Sequence, residues 1–165
     1  MTQNPADTVV AIVAGSRNDL QVVRKAEEAL RALGVSCEVR VLSAHRTPDE
    51  LRAYVREAEA RGVEVFIACT GLAAHLAGAI AAQTLRPVIG VPLNAGSLGG
   101  LDALLSTVQM PAGVPVATVG IDQTRNAAFL AARILALTSR EVRDALEHAM
   151  DAQRNEVLGA DLSRG

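Results

Sequence analysis

A histidine and an arginine stand side by side in Ser43-Ala44-His45-Arg46-Thr47-Pro48, where an apolar, strand-like run gives way to a helical pattern. An imidazole can pass a proton near neutral pH, and a guanidinium can grip a phosphate or carboxylate. The second half of the stretch reads as a helix start, with Thr47 as N-cap, Pro48 at the first helical position and Glu50 placed to complete a capping box. His45 and Arg46 therefore sit just outside a helix N-terminus. Its partial positive charge makes a nearby cation unfavourable by about a few tenths of a kcal/mol or more. A bound anion relieves that misfit. The same field disfavours imidazolium and favours the neutral ring, the form that accepts a proton.

Other candidates lie at equivalent strand-to-helix junctions. Gly15-Ser16 precedes a helical run and reads either as a common glycine-serine turn or as a phosphate cradle made of backbone N–H groups and the Ser16 hydroxyl. Asp19 reads as a helix N-cap or as a carboxylate that accepts ribose hydroxyls, and the two roles are compatible if one oxygen caps. Ser43 either ends its strand or faces a ligand. Gly71 belongs to Thr70-Gly71-Leu72-Ala73-Ala74-His75-Leu76. In that run His75, set among Ala and Leu, reads as a buried structural histidine or as a second proton carrier.

Several chemistries find no support. The single lysine, Lys25, falls mid-helix, away from these junctions, so a Schiff base has no evident nucleophile. No H-E-x-x-H, ligand-spaced cysteine pair or G-x-S-x-G occurs, so neither a metal site nor a nucleophile elbow is predicted. A phosphate-bearing small molecule handled by one histidine as acid and base remains.

The positioning elements follow from the pattern. Apolar runs at 8–13, 36–42, 63–69, 88–91 and 116–119 predict five strands, the first buried on both faces. Helical spacing predicts helices over 20–33, 48–61, from the 70–76 stretch to Thr84, 101–107, 126–137, and from a Ser139 cap to about Leu158, with Gly34 and Gly62 as stops for the first two. The third, apolar almost all round, is expected to be heavily buried, with a subunit contact as one option. Residues 94–100 are glycine-rich and 108–115 too rich in breakers for regular structure. Strict alternation argues a parallel sheet covered on both faces with right-handed crossovers, in the flavodoxin-like order 2-1-3-4-5. That order makes the loops after strands one, two and three neighbours.

The 165 residues suit one domain, a core of about 8–137 plus a C-terminal helix of about 139–158. Half the residues are hydrophobic and only 2% aromatic, so Ala, Val, Leu and Ile must fill the core. The positive mean hydropathy points to buried subunit contacts. Sixteen basic against eighteen acidic residues argue against a nucleic-acid partner. Cys37 and Cys69 read as reduced core thiols. The polar stretch Met1 to Thr8 carries no signal core and no run approaches a membrane span, so a cytoplasmic location is expected. Val142, Leu146, Ala149, Met150 and Val157 form a helical stripe expected to pack on a neighbouring subunit, or on its own domain.

Gly15-Ser16-Arg17-Asn18-Asp19, Ser43 to Pro48, Ala73-Ala74-His75-Leu76 and the run Gln109 to Thr118 together resemble the N5-carboxyaminoimidazole ribonucleotide mutase family, class I of the aminoimidazole ribonucleotide carboxylases, over about residues 8 to 137. The resemblance implies a three-layer α/β/α subunit in an octamer that needs no metal or organic cofactor and serves de novo purine biosynthesis. It implies that Ser16, Asp19 and Arg46 hold the ribonucleotide with Ser43 and Gly71 nearby. By the same likeness His45 shuttles the proton as a carboxylate moves from the exocyclic nitrogen to ring carbon C4, and small residues near Ala73 and Ala74 wall the released CO₂. Two rivals stand beside it. One is the sister carboxylase of free CO₂, whose anchor motif resembles Ser-Ala-His-Lys; the other is a flavodoxin-like module that binds a phosphate ligand without chemistry. Family members often carry glycine where this chain has Leu72 and proline where it has Ala77, commonly serine at Asn18, and glycine-rich wording in place of 120–126.

Overall fold

The computed structural model describes residues 8–159, so all of the polar N-terminal stretch except Thr8 lies outside the described residues. Strands β1 (Val10–Ala14), β2 (Cys37–Val41), β3 (Val65–Gly71), β4 (Val88–Leu93) and β5 (Ala117–Thr118) form one sheet in the order β2-β1-β3-β4-β5, every neighbouring pair parallel. Among the described residues six α-helices cover it: α1 (Leu20–Ala32), α2 (Pro48–Ala60), α3 (Leu76–Ala81), α4 (Leu101–Val108), α5 (Thr124–Leu135) and α6 (Arg140–Gly159). The predicted strand order is the observed one.

Strand alternation divides the core into two layers. From β1, Val10, Ile12 and Ala14 join Val23, Ala26 and Leu30 of α1 and the alanine face of α5. Ala11 and Val13 point the other way, to Leu51 and Val55 of α2 and Leu76 and Ile80 of α3. All five β1 side chains are fully buried, which only an uninterrupted apolar run permits in a strand covered on both sides. Ala127, Ala128, Ala131 and Ala132 bring α5 close to the sheet without large side chains, as the aromatic-poor composition requires.

Differences from the sequence reading have local causes. The third helix stops at Ala81 rather than Thr84, because the Thr84 side chain donates to Glu59 (2.8 Å) and accepts from the Arg86 N–H (3.0 Å), holding the chain in a turn. Its buried face, Leu76, Ala77 and Ile80, packs on its own sheet. The α6 stripe splits: Leu146 is buried in its own domain with Val142 and Ala149 against it, whereas Met150 and Val157 are exposed. The fifth strand keeps only two residues in the ladder. Gly34 and Gly62, both at positive φ, end α1 and α2 as read. Cys37 and Cys69 are free and buried, on strands separated by β1 and level with its opposite ends, Val10 and Ala14, which puts them beyond disulfide reach. Burial pushes the Cys37 thiol up to about 11 and the Cys69 thiol higher still.

Candidate active site

The carboxyl ends of β1, β2 and β3 deliver Ser16, Asp19, Ser43, His45, Arg46 and Gly71 to one cavity of about 450 Å³. These are six of the seven candidates the sequence singles out, and the parallel topology alone brings them together from three separate loops. His75 is outside that lining yet attached to it: its Nδ1 lies 2.7 Å from His45 Nε2, the rings meeting edge to face with centroids 4.9 Å apart. Both histidines are exposed. The reading of His75 as a buried structural residue is thus corrected, because the turn before α3 swings it out of the Ala-Leu surroundings that its sequence neighbours provide. A 2.7 Å contact between ring nitrogens needs one donor and one acceptor, so one imidazole donates its N–H to the other.

The first loop departs from the cradle reading. Gly15 N–H donates to the Cys69 carbonyl (3.0 Å) and Ser16 N–H to Asp19 Oδ2 (2.9 Å), so neither is available to an anion. Asp19 stands at the N-cap of α1 as read, but its side chain makes no cap bond; its Oδ2 instead accepts the Ser16 N–H, closing the 3₁₀ turn Arg17–Asp19. Burial raises the Asp19 carboxyl above its ordinary value, opposed by the hydrogen bonds from Ser16 and the charge of Arg46. A raised value means that the folded chain holds this proton more tightly than the unfolded chain, so ionised Asp19 costs stability at any pH above both values. Asp19→Asn is therefore expected to melt higher than the parent at pH 7, the gap closing as pH falls through the raised carboxyl value and gone below about 3.8, with ligand affinity weakened throughout; thermal melts across pH check it.

The anchor loop is held differently from a capping box. Thr47 stands at the N-cap with Pro48 at the first helical position, but its hydroxyl makes no cap bond and instead accepts from Ser43 N–H (2.8 Å) and donates to the Ser43 carbonyl (3.1 Å). Ser43 Oγ in turn accepts from the N–H groups of His45 (3.3 Å) and Arg46 (3.2 Å). Thr47 and Ser43 thus spend their hydroxyls on the turn that presents His45 and Arg46. The Arg46 guanidinium reaches across to the Gly15 carbonyl at 3.3 Å, and among the described residues no carboxylate lies within ion-pair distance of it. A second recess opens beside it, sharing Ser16, Ser43 and Arg46 with the first and adding Arg17. With two arginines in its lining, this recess is the more cationic end of the site.

The chain matches the family model described as AIR carboxylase over residues 9–156. It belongs to the AIR carboxylase family. It is 51% identical to the N5-carboxyaminoimidazole ribonucleotide mutase of Saccharolobus solfataricus, over 93% of this chain and 97% of that protein. With the mutase of Escherichia coli it shares 48% identity over 98% and 96% of the two chains. Among solved structures, Treponema denticola PurE superposes with a TM-score of 0.87 at 28% identity, covering 93% of this chain and 96% of that one.

Within this AIR carboxylase family chain, the lining also includes residues that the sequence does not single out. Thr70 is the penultimate residue of β3, Ala95 comes from the loop after β4, and Leu72 follows Gly71. Position at a strand's carboxyl end was the signal for Thr70. For Ala95 it was the adjacency of β3 and β4, which the grouping of only the first three loops overlooked. A Cβ at Gly71 would approach Ala95 Cβ to 2.6 Å and the Leu93 carbonyl to 3.2 Å, so glycine is required where the two loops meet. The small-residue wall also changes membership: Ala73 lines the cavity, whereas Ala74 is buried in the protein. The family departure at 120–126 has a structural counterpart, since Asp122 accepts the Asn94 N–H at 2.9 Å and so fastens the β4 loop.

Proposed function

We propose that this chain is an N5-carboxyaminoimidazole ribonucleotide mutase of purine biosynthesis. The observation that carries the reading is the linked His45–His75 pair at the edge of a cavity that also offers Ser16, Asp19 and an Arg46 with no carboxylate within ion-pair distance among the described residues. Identity near 50% to mutases along nearly the whole chain supports it. Arg46 and Arg17 take the phosphate, the Asp19 carboxylate takes ribose hydroxyls, and the heterocycle lies against His45. In the first half-reaction the exocyclic N–C bond of the carbamate breaks, its electron pair returns to nitrogen, and nitrogen gains a proton from the histidine pair as CO₂ leaves. In the second, the ring electron pair at C4 attacks that CO₂, and the C4 proton passes to His45. One proton is lent and one returned, so the isomerisation balances without oxidant, reductant or second substrate. His75 keeps the borrowed proton one hydrogen bond away.

Purified protein is expected to convert N5-carboxyaminoimidazole ribonucleotide to the 4-carboxy isomer with no added bicarbonate. Turnover of aminoimidazole ribonucleotide plus bicarbonate, with none of the carbamate, would assign the chain to the sister carboxylase instead. Unaltered carbamate with tight ligand binding would leave the non-catalytic module.

One shared sheet beneath both core layers supports a single domain spanning the chain. Exposed Leu85, Leu98, Leu101, Leu137 and Val157 supply apolar surface for a homo-oligomer, an octamer by family likeness. No helix among the described residues is long and apolar enough to cross a membrane, and a cytoplasmic setting accords with a purine enzyme.

A further inference from the structure

Among the described residues only two that are not glycine hold a positive φ, Leu72 at 57° and Asp122 at 59°. Both act on the same segment, the glycine-rich loop after β4. Asp122 fixes the start of that loop through Asn94 N–H. Leu72 presses on its middle: a Cβ at Gly96 would come within 2.8 Å of Leu72 Cδ2, so the missing side chain of Gly96 is the space that Leu72 uses. A left-handed backbone is a conformation that side-chain-bearing residues enter at a cost, and such outliers persist at sites where the side chain has a task. Leucine has no polar group with which to repay the cost locally, as Asp122 does. It is also more than half exposed, so core packing does not explain it either.

Its place in the cavity does. Ser16, Asp19 and Arg46 make one side polar and charged, while Leu72, Ala73, Leu76 and Ala95 make the opposite side apolar. Resting on the mutase reading above, we propose that Leu72 is this site's retention residue: its side chain, braced on Gly96, forms the apolar lip that keeps the CO₂ released in the first half-reaction beside C4 until the second. CO₂ is small and uncharged and competes poorly with water for polar groups, so an apolar lip holds it by excluding water rather than by bonding to it. Cleavage of the N–C bond and both proton transfers fall to the histidine pair. Leu72 is therefore a positioning residue, and its loss should change where the carboxyl carbon goes more than how fast the carbamate is consumed.

The test follows carboxyl-labelled carbamate in unlabelled bicarbonate buffer, with loss in the absence of enzyme subtracted, for the parent, Leu72→Gly, Leu72→Ala and the size-keeping Leu72→Met. Glycine relaxes the backbone and keeps the melting temperature at or above that of the parent. Alanine removes the lip while leaving a side chain on the left-handed backbone. The expected result is that Gly and Ala variants lose label to solvent and release aminoimidazole ribonucleotide at least about threefold more often per turnover, with carbamate consumption within about threefold of the parent and Met close to the parent. Label transfer as complete in Gly and Ala as in the parent would overturn the proposal. So would collapse of carbamate consumption in all three variants, which would mark Leu72 as structural. A parent enzyme that leaves the carbamate untouched would instead remove the mutase reading on which the proposal stands.

Discussion

His45→Asn is expected to lower kcat by about 10²–10⁴-fold while ribonucleotide affinity stays within about tenfold, measured by turnover and by direct binding of the product. Asparagine keeps a polar side chain of similar reach but cannot carry a proton, so the change removes the acid–base step and little else. The affinity expectation follows from the proposed division of labour, in which Ser16, Asp19 and Arg46, lining the same cavity as His45, hold the ribonucleotide. Because His45 Nε2 and His75 Nδ1 are 2.7 Å apart, the variant also leaves His75 without its ring partner, and asparagine can restore only a neutral hydrogen bond there. An undiminished rate would show that proton transfer lies elsewhere and would restore the non-catalytic module as the better reading.

Arg46→Ala is expected to weaken ribonucleotide binding by about 10–100-fold, the range given by losing a charge-assisted hydrogen bond worth about 1.5–3 kcal/mol. The penalty should appear in KM and product affinity, with kcat at saturation much less affected, since the guanidinium grips the tail and not the reacting carbons. Two features of the structure make the effect large. The guanidinium is committed to one protein acceptor, the Gly15 carbonyl, and the neighbouring Gly15 and Ser16 N–H groups are already spent, so no backbone cradle stands ready to replace it. Lysine should recover part of the loss as a point charge but not the forked geometry. Equal affinities for parent and Ala variant, by calorimetry with the product, would move the phosphate away from this recess.

The sheet was legible because its signal is local: five apolar runs separated by helical spacing leave few parallel arrangements. The site was legible nearly as well, since polar residues at the ends of buried strands in such a sheet converge whatever the side-chain detail. Side-chain allegiance was not legible. Thr47 and Glu50 satisfy a capping-box pattern, yet the Thr47 hydroxyl is drawn to Ser43, because the sharp turn presenting His45 leaves the Ser43 backbone N–H and carbonyl needing partners. Gly15 and Ser16 look like an anion cradle until the sheet claims one N–H and Asp19 the other. The pairing of His45 with His75 joins residues thirty positions apart on two loops, a distance that no spacing rule encodes. Leu72 gave no periodic signal at all; its meaning lies in a backbone angle and in the glycine it covers.

The close fit of Gly71 beside Ala95, which leaves no room for a Cβ, has a mechanical corollary. With no slack between them, the ends of β3 and β4 must travel as one stiff jaw, and whatever accommodation the pocket makes to an arriving nucleotide falls to the opposite jaw, the segments that bear Ser16 and Arg46. Mobility in this enzyme should therefore be lopsided, with deuterium uptake slowed by ligand mainly at residues 15–19 and 43–47.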